Sequence, residues 1–102
     1  MFEIKIVRPG EVAMSGRFDA SQVDKARAVL DQVTTTAILD LKDLQYVSSA
    51  GLGILLAAQK RLSEKGHKLR LANMSKHVRD VFQITRLETI FEIIETAPGS
   101  EG

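Results

Sequence analysis

Phe2, Ile4 and Ile6 alternate with Glu3, Lys5 and Val7, the period-two pattern of a half-buried strand. Pro9-Gly10 is a turn signal, and beyond it Val12, Met14 and Gly16 alternate with Glu11, Ala13 and Ser15. Residues 1–16 therefore predict a β-hairpin. Asp19 then offers a helix N-cap, and Gln22, three residues on, has the spacing of a capping box. Val23, Ala26, Leu30 and Val33, with Val29 beside them, recur at intervals of three and four. They predict an amphipathic helix from about Ala20 to Val33.

Thr36 to Leu41 is a short, β-branched and mostly apolar run, suited to a strand buried on both faces. Asp43-Leu44-Gln45 carries it to Tyr46-Val47. Ser48-Ser49 precede a helical stretch, Ala50 to Lys65, with Leu52, Leu55, Leu56 and Leu62 on one stripe and Gly66 as its stop. His67 to Ala72 reads as a strand. Ser75 caps a third helix whose inward stripe is Val78, Val81, Phe82 and Thr85, Ile90 to Ile94 reads as a last strand, and residues 97–102 as a polar, frayed tail. The order ββαβαβαβ predicts an α/β fold: a mixed sheet with a parallel core and helices packed on it. In such sheets the functional loops lie at the carboxyl ends of the strands. Here these are Gly16 to Ser21 and Gln45 to Gly53.

A chain of 102 residues holds one hydrophobic core, and 44% hydrophobic with 26% charged residues excludes a disordered or fibrous chain. The longest apolar run, Ile54 to Ala58, ends at Gln59-Lys60-Arg61, so no membrane span is expected. The first eleven residues lack a basic leader followed by an apolar block, so a cytoplasmic protein is expected. The chain has no cysteine, which removes thiolate chemistry and disulfides. Fourteen Lys and Arg against thirteen Asp and Glu give +1 overall. Seven of those cations and one anion, Glu64, fall between Lys60 and Arg79, leaving +6 in that stretch and −5 elsewhere. No aromatic residue is interleaved there to stack bases, so a solvated basic face is expected rather than a nucleic-acid site.

Little supports catalysis. His67 and His77 each adjoin a lysine and have no carboxylate or histidine at metal-ligand spacing. Gly51-x-Gly53 lacks the third glycine of a dinucleotide loop, and no base stands out to activate Ser49. Asp19, Asp40 and Asp43 read as strand-end caps, with spatial proximity an alternative. A non-enzymatic protein without cofactor or metal is expected. The informative segment is Asp40 to Gly53, in which Ser49 lies where a buried strand meets a helix N-terminus. Unpaired N–H groups and the helix dipole there favour an oxygen or an anion. Ser48 or Ser49 is then either a simple cap or a phosphoacceptor. A phosphoryl group would add about −1.5 to −2 charge to a nearly neutral loop while leaving the fold intact.

Gly16-Arg17-Phe18-Asp19, Leu39-Asp40-Leu41, Tyr46 to Gly53, Leu69 to Asn73, and the Val78, Phe82, Leu87, Phe91 pattern together resemble the STAS-domain anti-sigma factor antagonist family over nearly the whole chain. The resemblance implies a STAS domain over residues 1–96. It further implies binding to an anti-sigma factor that is also a serine kinase, freeing a sigma factor. Phosphorylation of a serine ends that binding, and a serine phosphatase restores it. By position, Ser49 is that serine, Gly51 the motif glycine and Asp19 the acidic residue of the adjacent loop. Asp19, Ser48, Ser49, Gly51 and Leu52 form the expected partner-binding set, with Gly51 leaving room for a partner backbone and Asp19 binding a partner or orienting Ser49. Ser48 stands where the family usually has Asp, and Arg86 where it often has Gly. Alternative roles are a non-switching STAS subunit of a transporter-associated or signalling complex and, on the basic stretch, a nucleic-acid binder.

Overall fold

The computed structural model describes residues 1–94. The tail expected at 97–102, and the last two residues of the expected domain, lie outside them. The predicted hairpin forms: β1 (Phe2–Arg8) pairs antiparallel with β2 (Glu11–Phe18), and Gly10 closes the turn at φ +85°. From β2 onward every pairing is parallel, through β3 (Ala37–Val47), β4 (Leu69–Ala72) and β5 (Glu92–Ile94), in the spatial order β1-β2-β3-β4-β5. Three helices, α1 (Val23–Leu30), α2 (Ser49–Ser63) and α3 (Lys76–Ile84), supply the crossovers.

One continuous core gathers Phe2 and Ile4 of β1, Val12, Met14 and Phe18 of β2, Leu39, Leu41, Leu44 and Val47 of β3, and Leu69 and Leu71 of β4. The helices contribute Ala26 and Leu30, Leu52, Leu55, Ala58 and Leu62, and Val78 and Phe82 to the same cluster. Ile38 and Ala72 form a separate small cluster with Ile94 on the other side of the sheet, and among the described residues no helical residue joins it. All three helices therefore cover one face.

Several local expectations change. The first helix begins as a 3-10 turn, Ala20–Gln22, and its α-helical part ends at Leu30, so Val33 is buried from the following loop. Gln22 donates to the Ser21 hydroxyl (3.2 Å) instead of reaching back to Asp19, and no capping box forms. On α2 the buried stripe is Leu52, Leu55, Ala58 and Leu62, while Leu56 lies exposed, one position off the inward line. Val81 is only partly buried and Thr85 is exposed, its hydroxyl donating to the Val81 carbonyl oxygen at 2.8 Å. Residues 87–89 form a 3-10 turn, which shortens the last strand to three residues.

β3 is continuous for eleven residues because two register shifts absorb the excess over β2: Ala13 and Ser15 face Asp40 and Asp43, and Gly16 and Arg17 face Leu44 and Tyr46. Each shift lets one extra residue bulge, so Leu39, Leu41, Leu44 and Val47 all reach the core despite spacings of two, three and three. This register sets Asp40 and Asp43 well before the strand end that carries Asp19, so the three aspartates do not form one group.

Arg86 sits at φ +64°, in the left-handed region that favours glycine, directly after the end of α3. An L side chain there costs about 1 kcal/mol, partly offset by the extra freedom glycine brings to the unfolded chain. Arg86→Gly is expected to raise stability by about 0.5 kcal/mol, read as a melting temperature a few degrees higher. An unchanged or lower value would mean that the arginine side chain compensates.

Candidate functional site

The carboxyl ends of β2 and β3 meet the start of α2. Phe18 closes β2: its ring is fully buried and stacks on Phe2 at 4.8 Å, and its carbonyl oxygen accepts a hydrogen bond from the Ser48 N–H at 2.9 Å. Ser48 has extended backbone geometry and its Oγ accepts from the Gly51 N–H at 3.1 Å, while its carbonyl accepts from the Leu52 N–H at 2.9 Å. It is the N-cap of α2. A cap demands a short side-chain acceptor, which the Ser48 hydroxyl provides.

Ser49 is the first residue of the helix and is exposed. Among the described residues no hydrogen bond holds its hydroxyl, and the N–H groups of Ser49 and Ala50 have no protein acceptor. The two adjacent hydroxyls are therefore inequivalent: Ser48 is half-buried and committed to the cap, and Ser49 is free at the positive end of a fifteen-residue helix. Removing the cap in Ser48→Ala is expected to cost about 1 kcal/mol, a fall of roughly 4–8 °C in melting temperature. A change within error would remove Ser48 from the cap role.

Gly51 is buried, contrary to the expectation that it leaves room for a partner. A Cβ built there would stand 3.1 Å from two carbons of the Phe18 ring and from the Phe18 carbonyl oxygen. The glycine lets the first turn of α2 rest directly on the end of β2. Leu52, at 6% exposure, is likewise turned into the core. These two residues hold the platform, and the surface itself is made by Asp19, Ser48 and Ser49.

Asp19 caps the 3-10 turn. Its Oδ1 accepts from the Ser21 N–H at 3.0 Å and from the Ser21 hydroxyl at 2.6 Å, so it is oriented by Ser21 and not by Ser49. The hydroxyl bond is the main reason its carboxyl titrates below the usual range, with a smaller contribution from Arg17. It therefore remains an anion beside the Ser49 loop at neutral pH. Arg17 lies with its guanidinium 4.3 Å from the centre of the Tyr46 ring, a cation–π pair between strand residues set opposite each other. Spacing alone does not bring these two together, because the bulges in β3 decide which residues face one another.

The basic stretch is dispersed. Lys68 and Arg70 both pair with Glu92, at 2.5 and 3.3 Å, Lys76 pairs with Asp80 at 3.0 Å, and Arg61 donates to the Leu30 carbonyl at 2.9 Å. Its cations belong to α2, β4, α3 and their connections and do not line one helix. His77 is exposed and His67 half-buried, near Thr36 Oγ1 at 3.5 Å. Among the described residues no three acidic or histidine side chains converge as metal ligands, and no helix is long and apolar enough to cross a membrane.

The five-stranded sheet with one antiparallel edge and three helices has the fold of a STAS domain, and the family model described as "Mlab, STAS domain" matches residues 7–95. The chain belongs to the STAS-domain anti-sigma factor antagonist family. BtrV of Bordetella bronchiseptica, named as an anti-sigma factor antagonist, is 38% identical over 74 residues, covering 72% of this chain but 58% of BtrV, so the match spans little more than half of that relative. The anti-sigma-B factor antagonist of Listeria monocytogenes is 32% identical over 87 residues, covering 81% of this chain and 76% of that protein. Among solved structures, the anti-sigma factor antagonist SpoIIAA in its unphosphorylated form superposes with a TM-score of 0.76 at 25% identity, covering 97% of this chain and 90% of that one.

Proposed function

We propose that this protein is a cytoplasmic anti-sigma factor antagonist that binds an anti-sigma factor with serine kinase activity, freeing a sigma factor, and that phosphorylation of Ser49 ends the binding. The observation that carries this reading is the division of labour between the two serines. Ser48 caps α2, and in the same turn Ser49 presents an exposed hydroxyl without a partner among the described residues. A phosphoryl group on Ser49 would add about −1.5 to −2 charge next to two N–H groups that lack acceptors among the described residues, at the end of the helix that tolerates an anion. The fold would persist, and a surface that began neutral at Ser49 would become anionic beside Asp19. The names of the Bordetella and Listeria relatives support the antagonist role, and the unphosphorylated form in which SpoIIAA was solved supports a phosphorylation switch. The role is regulatory and not catalytic. A serine phosphatase acting on phosphorylated Ser49 completes the cycle.

Affinity purification of the tagged chain from its native cells, followed by identification of the captured proteins, tests the partner class. An anti-sigma factor that leaves on addition of ATP supports the proposal. Stable capture of a membrane-transport or scaffold assembly, unaffected by ATP and with Ser49 unmodified, would favour a permanently bound STAS subunit instead.

A further inference from the structure

The helix-free face of the sheet contains a trough of about 290 Å³ running along β2 between β1 and β3. Its floor is made by the small residues Ala13 and Ser15, and its rims carry Glu3 and Lys5 from β1 and Lys42 and Asp43 from β3. Asp40 lines it as well and is only 7% exposed. One of its oxygens, Oδ1, accepts from the Lys42 N–H and from the Asn73 side-chain amide, both at 3.1 Å. These bonds hold the carboxylate rigidly across the β3 bulge. The other oxygen, Oδ2, has no hydrogen-bond partner among the described residues, and Asp40 forms no ion pair there. Because Oδ2 is not sealed from solvent, the trough is its way out.

A buried carboxylate without a cation is costly unless a donor completes it. Lys42 supplies its backbone N–H to Asp40 and not its ammonium, and neither Lys5, Lys42 nor Asp43 is ion-paired among the described residues. We propose that this trough is a second docking surface, receiving an arginine side chain, flanked by acidic residues, from a partner protein. The guanidinium is planar and weakly hydrated, so it donates to Oδ2 at lower desolvation cost than an ammonium. Ala13 and Ser15 leave room for its methylene stem. Glu3 and Asp43 balance the charge of the two rim lysines, and acidic neighbours of the arginine on the partner pair with Lys5 and Lys42. Asp43, the β3 lining residue nearest the Ser49 loop, precedes Val47 by four strand residues, roughly 13 Å, so the trough and the Ser49 surface are separate.

The test is a titration of the isotopically labelled full chain with the peptide acetyl-Glu-Arg-Glu-amide, followed by amide chemical shifts, beside the neutral analogue with citrulline replacing arginine. Saturable shifts at Ala13, Ser15 and Lys42, at least tenfold weaker for the citrulline peptide, are expected. Asp40→Asn should weaken binding at least tenfold. Ala13→Met, which fills the floor and leaves the Asp40 hydrogen bonds in place, should do the same and decides the matter if the Asn variant does not give a folded spectrum. Equal response to both peptides, shifts unchanged in the folded variants, or no saturable shift along the trough would each overturn the proposal. None of these readouts depends on the anti-sigma factor reading.

Discussion

Gly51→Val is expected to lower the melting temperature by on the order of 10–20 °C. A Cβ at this position already stands 3.1 Å from the Phe18 ring and from its carbonyl oxygen. Neither neighbour can retreat: the ring is fully buried against Phe2, and the carbonyl is bonded to the Ser48 N–H. Overpacking of this kind costs about 1–3 kcal/mol, and the two γ-methyl groups of valine push toward the upper end. Each kcal/mol is worth roughly 4–8 °C in a domain of this size. Gly51→Ala should be milder, because alanine recovers up to about 1 kcal/mol of helix propensity against the same contact. A thermal melt showing Val as stable as the parent would mean that α2 does not rest on Phe18.

Ser49→Asp is expected to weaken binding to the anti-sigma factor by at least about 30-fold, with the melting temperature nearly unchanged. The stability side follows from position: a carboxylate in the first turn of a helix is favourable. The binding side follows from burial of an unpaired charge in an interface, which costs about 2–5 kcal/mol, and each 1.4 kcal/mol is tenfold in affinity. Ser49→Ala should bind like the parent and stay bound when ATP is added. Isothermal titration with the purified partner reads both variants. Parental affinity for Ser49→Asp would place the partner interface elsewhere.

Most of the fold was legible because local patterns and tertiary structure agree. The alternation from Phe2 to Gly16 gives the hairpin, the spacing of Ala26 and Leu30 marks the inner face of α1, and Ser75 caps α3 through the Val78 N–H. What escaped reading depends on long-range register. The bulges in β3 break the period of two, so neither its full length nor the pairing of Arg17 with Tyr46 follows from spacing. At the site, the helix N-terminus behind Ser48-Ser49 was visible as a strand running into a helical stripe. Which serine caps it was not, because the two residues are chemically alike and only the strand exit from Tyr46-Val47 orients them. The place of Gly51 above Phe18 does not follow from spacing either. That contact joins residues 33 positions apart, and no local pattern announces it.

Incubating the chain with its captured partner and ATP, then mapping phosphate by mass spectrometry while following release, tests the central claim most directly. Phosphate on Ser49 alone, appearing in step with dissociation of the complex, is the predicted result. Phosphate on Ser48, or dissociation of the complex with Ser49 unmodified, would contradict it.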